Sequence, residues 1–87
     1  MALLRATKLG CERLSALGAY AQEAVRAAEA VHAAQDDDWI AVRFPIENIE
    51  HAALVILGIG PEVKVDEPAA LRERVRALAL EVARHMK

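Results

Sequence analysis

An α+β fold class follows from three stretches of this chain. Trp39 to Ile46 alternates strictly, with Ile40, Val42, Phe44 and Ile46 on one side and Trp39, Ala41 and Arg43 on the other. That is the pattern of a half-buried strand. Ile49, Ala52, Ala53, Ile56 and Leu57 then recur at helical spacing, as do Leu71, Val75, Leu78, Val82 and Met86 near the end of the chain. Length sets the scale, because 87 residues hold one core and not two. A composition 55% hydrophobic and 28% charged is that of a folded domain, although only 3% is aromatic and 19 residues are Ala.

Taken in order, Ala2 to Ala6 reads as a strand built on Leu3 and Leu4, and Lys8 to Leu17 as a helix ending at Gly18. Tyr20 to Gln35 supports two readings. Its Ala, Glu, Arg and Gln content favours a helix, while Val25, Ala27, Glu29, Val31 and Ala33 also fit an alternating edge strand. Pro45 signals the end of the tryptophan strand, and Asn48 caps the following helix. Gly58, Gly60 and Pro61 stop that helix. Pro61 to Val65 reads as a short strand with Val63 and Val65 inward, and Pro68 sits near the first turn of a last helix.

Several function classes fall away. Cys11 is the only cysteine, so there is neither a disulfide framework nor a thiolate metal cluster, and a reducing, cytoplasmic setting is the simplest expectation. His32, His51 and His85 are too far apart to begin a zinc site. Gly58-Ile59-Gly60 lacks the residues of a phosphate loop. Asp36-Asp37-Asp38 lacks the alternating ligands of a calcium loop and reads as a solvated turn. The apolar run from Ala52 to Ile59 is far short of the ~20 residues that span a bilayer. A net charge of −2 argues against a polybasic anchor or a dedicated DNA-binding surface. No nucleophile, base and orienting group converge, so the expectation is a non-enzymatic protein without cofactor or metal.

The second half carries an ordered set of short motifs: Asp38-Trp39-Ile40-Ala41-Val42, Pro45-Ile46-Glu47-Asn48, His51-Ala52, Leu57-Gly58-Ile59-Gly60, Glu62-Val63-Lys64-Val65, Glu67-Pro68 and Leu71-Arg72. From about Asp36 to Arg84 this resembles the C-terminal extension (WCX domain) of WYL-domain transcriptional regulators. The resemblance implies a ferredoxin-like βαββαβ sandwich with an additional C-terminal helix, in which roughly Ala24 to Ala34 is the second strand. It further implies sheet order 4-1-3-2, with strands one and three central and expected to run parallel. There is no W-Y-L motif, since Trp39 is followed by Ile40 and Ala41, and Lys64 stands where an acidic residue is common. Residues 1–87 are then expected to be a single WCX-like domain, a fragment of a longer regulator whose winged helix-turn-helix and WYL domain lie elsewhere.

On that resemblance the function expected is dimerisation and effector sensing in a bacterial DNA-binding regulator. The partners expected are a second copy, the WYL domain of the same protein, and a nucleic-acid or nucleotide effector such as single-stranded DNA. The rival is a stand-alone ferredoxin-like domain that binds a small acid or amino acid. Pleat logic places Arg5, Arg43 and Lys64 on the sheet face away from the helices, with Arg26 joining from the other edge. Arginine forks on such a face suit a phosphate or carboxylate, and the alternative is ordinary solvated charge or ion pairing with Glu29 and Glu62. Trp39 is either a packing anchor or a stacking platform. Arg72, in the E-P-x-x-L-R segment, either anchors the last helix or faces the WYL domain.

Overall fold

Alternation along the strands decides which side of the sheet becomes the core. In the computed structural model, which describes residues 1–32 and 38–86, Ala2–Ala6 forms β1, Ile40–Phe44 forms β2 and Val63–Glu67 forms β3. β1 buries Ala2, Leu4 and Ala6, and β2 buries Ile40, Val42 and Phe44. β1 is the middle strand of the order β2-β1-β3, and both pairings are antiparallel. Leu4 lies opposite Val42 on one side and Val65 on the other, so the apolar rows coincide across the sheet.

Among the described residues the remaining elements are four helices, α1 (Lys8–Ser15), α2 (Ala19–His32), α3 (Ile49–Ile59) and α4 (Ala69–His85). Each sends apolar residues into the one core on the buried side: Cys11 and Leu14 from α1, Val25 from α2, Ile56 from α3 and Leu71 from α4. Leu4, Leu14 and Leu71 are essentially fully buried, and each contributes about 1.5–3 kcal/mol on transfer grounds. α2 packs against β2 and α1, and α4 packs against α3 and β3.

The turns are built from specific side chains. The Thr7 hydroxyl accepts from the Gly10 amide at 3.1 Å and caps α1. It also donates to the Glu62 carboxylate, and the Thr7 amide donates to the Glu62 carbonyl at 3.0 Å. These bonds clamp the start of α1 to the entry of β3. Gly10 sits at the contact, where a Cβ would lie 2.3 Å from the Glu62 carbonyl oxygen. At the end of α3, Gly60 has φ +89, a value favouring glycine, and Arg13 donates to the Ile59 carbonyl at 2.8 Å. The Asn48 side chain accepts from the His51 amide at 2.7 Å and caps α3.

Two expectations are corrected. Residues expected as the second strand are helical as far as His32, because Ala21, Val25 and Ala28 recur at helical spacing and reach the core. A strand would have set Glu29 in the same inward row as Val25; the helix turns it to solvent. The remainder of that expected strand, and the first two residues of Asp36-Asp37-Asp38, lie outside the described residues. Among the described residues the sheet therefore has three strands: the first lies between the tryptophan strand and the Val63 strand, as the 4-1-3 part of the expected order has it, and the second strand is missing. The expected parallel pairing is antiparallel, since α1 carries the chain away and α2 returns it to the end of the sheet where Ala6 meets Ile40. The expected last helix does form as α4, and its apolar stripe is buried at Leu71, partly buried at Val75 and Leu78, and exposed at Val82 and Met86.

Candidate functional site

The sheet face away from the helices carries most of the polar residues that alternation assigns to it. Arg5, Ala41, Arg43 and Lys64 are exposed there, beside Leu3. Arg5 lies opposite Ala41 on β2 and Lys64 on β3, and Leu3 lies opposite Arg43. The cationic side chains of three adjacent strands thus share one surface. Among the described residues no helix covers it.

Local chemistry separates these cations. Arg5 donates from Nε and Nη2 to one Asp66 carboxylate oxygen, at 3.1 and 2.9 Å. Asp66 follows Lys64 by two residues and so shares this face by alternation, and it sits at a bulge: Leu4 pairs with Val65 but Leu3 with Glu67, leaving Asp66 the extra residue. The Lys64 ammonium lies 4.0 Å from the centre of the Trp39 ring, a cation–π contact spanning from β3 to the start of β2. Arg43 differs, for among the described residues its side chain makes no ion pair or hydrogen bond. It is the uncommitted cation of the face.

The other two predicted residues lie elsewhere. Arg26 is on α2, exposed on a helix and not on a strand edge, because that segment is helical. Arg72 is exposed on α4 and donates to the Asp66 carbonyl at 3.4 Å, with Glu73 at 3.9 Å, so it ties the helix start to β3. The alternative ion pairs with Glu29 and Glu62 do not form; Asp66 takes Arg5, and Glu62 holds Thr7.

Two features escaped the sequence. Arg74 on α4 forms a two-pronged pair with Glu50 on α3, at 2.8 and 2.9 Å. Its hydrogen bonds hold the Glu50 carboxyl below its usual range and push the Arg74 guanidinium up. The second is a cleft of about 390 Å³ at the end of β2 opposite Trp39, between Tyr20, Phe44–Glu47 and one side of α3. Its Tyr20 and Phe44 rings meet at 5.8 Å and 56°. Neither was legible beforehand, because both join residues at least 24 positions apart. Cys11 is 2% exposed, and burial, followed by the nearby Glu29 carboxylate, pushes its thiol up, which suits an inert core group. No group of three or more metal-ligating side chains occurs among the described residues. No helix among them is long and apolar enough to cross a membrane.

The family model of the WCX domain matches residues 4–83, nearly the whole chain. The chain belongs to the WCX domain family. The match spans the α2 segment as well as the tryptophan strand. A WCX domain is a regulatory module associated with WYL-type transcriptional regulators, not a member of a known enzyme family. No curated protein and no solved structure matches the chain.

Proposed function

We propose that this WCX domain is the self-associating, effector-facing module of a WYL-type transcriptional regulator in the bacterial cytoplasm, acting without catalysis while the WYL and DNA-binding domains are supplied by the rest of the protein. The observation that carries this reading is the uncovered sheet face, where Arg43 is uncommitted and the half-buried Trp39 ring holds the Lys64 ammonium 4.0 Å from its centre. Such a surface suits a single-stranded nucleic acid: bases stack on an aromatic ring and a guanidinium takes a phosphate. Arg5 and Lys64 set the surface potential, with their heads held by Asp66 and Trp39. Self-association is supported by the distal half of α4, which exposes Leu80, Val82 and Met86 beyond the core.

Sedimentation across the micromolar range tests the association, and a clean monomer throughout would contradict it. Binding of a short single-stranded oligonucleotide tests the face: Arg43→Ala is expected to weaken it and to flatten its dependence on salt. Unchanged binding in that variant would remove Arg43 from the site.

A further inference from the structure

The cleft at the far end of β2 combines features that the sheet face lacks. Its volume of about 390 Å³ falls within the range of sites that enclose small molecules. The walls are Tyr20, Phe44, Ile46 and Val55, with Glu47 and His51 among the lining residues. Glu47 is the carboxylate among the lining residues, and among the described residues it makes no ion pair or hydrogen bond. The N-terminus of α3, which would draw an anion, is already served by the Asn48 cap and has Glu50 in its first turn. An apolar body, two aromatic rings and one uncompensated carboxylate are complementary to a cation on an apolar stem. Carboxylate pairing and the ring faces both favour an ammonium group.

We propose that this cleft binds a small free amine bearing an aromatic or aliphatic body, with the ammonium at Glu47 and the body against Tyr20, Phe44 and Val55. The site is separate from the sheet face, so it stands or falls independently of nucleic-acid binding there. The cleft has room for a free molecule of one or two rings, and its concave walls from α2, β2 and α3 favour that over a flat polypeptide surface.

Amide NMR titration of the intact chain with phenethylamine tests the proposal, with phenylpropionate as the oppositely charged analogue and Nα-acetyl-lysine amide standing for a polypeptide lysine. Saturable shifts are expected at Glu47, His51, Ala52 and Val55 with phenethylamine, with binding about ten-fold weaker for phenylpropionate, the scale of one charge-assisted contact. Glu47→Gln, an exposed substitution, is expected to erase that preference while leaving the thermal midpoint unchanged. Tyr20→Leu is expected to weaken every ligand that carries a ring. Absence of saturable shifts, equal binding of acid and amine, or an amine preference that survives Glu47→Gln would overturn the proposal. Tighter binding of the lysine amide than of phenethylamine would overturn its commitment to a free amine.

Discussion

Replacing Gly10 by Ala sets two effects of opposite sign against each other. In a helix interior, Ala is favoured over Gly by up to about 1 kcal/mol. On propensity alone the variant would be the more stable protein. The added Cβ, however, would lie 2.3 Å from the Glu62 carbonyl oxygen and 3.2 Å from the Ala6 Cβ. The first separation is more than an ångström short of ordinary contact, and the obstacle is backbone. Relief requires α1 to move off the β3 entry, straining the Thr7-to-Glu62 amide bond of 3.0 Å and the hydroxyl-to-carboxylate bond beside it. Overpacking of this kind costs about 1–3 kcal/mol, and each weakened hydrogen bond adds about 0.5–1.5 kcal/mol. The clash therefore outweighs the propensity gain, and Gly10→Ala is expected to be about 1–5 kcal/mol less stable. Urea unfolding followed by circular dichroism reads this as a lower midpoint at unchanged slope. A variant as stable as the parent would refute the close approach between α1 and β3.

Other expectations follow from the same core and its margins. Leu71→Ala should cost about 2–5 kcal/mol, because Leu71 is fully buried, whereas Val82→Ala, on the uncovered half of α4, should change monomer stability by less than about 0.5 kcal/mol in urea unfolding. The Cys11 thiol is pushed up by burial, so the neutral form is favoured in the folded state. Its contribution is fully present below the ordinary thiol value of about 8.5 and is lost as pH rises through the folded value. Unfolding midpoints between pH 7 and 10 should thus fall more steeply in the parent than in Cys11→Ala. The Glu50 carboxyl is held low by Arg74, so what this exposed pair lends to stability is present above the usual carboxylate range. It should disappear as pH falls through the lowered value, and 1 M salt should screen it.

How far the fold could be read beforehand depended on whether the signal was local. Alternation in Ala2–Ala6 and Ile40–Phe44 placed Leu4 and Val42 inward and Arg5 and Arg43 outward, as the structure has them. Cap residues were equally direct, Asn48 most clearly. Ala19–His32 was harder, because Ala packs in either geometry and Val25, Ala27, Glu29 and Val31 also alternate; intrinsic propensity identified the helix where family analogy implied a strand. The stripe on α4 was real as a pattern, but its period cannot tell how far the rest of the domain reaches along the helix. Alternation sets Arg5 on the open face, while its capture by Asp66 joins residues 61 positions apart and needs the pairing of β1 with β3, which no local pattern announces. The cleft required Tyr20 to meet Phe44, a contact made only by the folded chain.

The open sheet face is the center of the functional account, and Trp39 reports on it directly because it is the chain's one tryptophan. Its emission, followed during titration with a short single-stranded oligonucleotide, is expected to fall saturably as a base stacks on the ring. The response should weaken with added salt and should require higher oligonucleotide concentration in Arg43→Ala. Emission that stays constant throughout the titration, in both the parent and the variant, would contradict an effector-facing role for this surface.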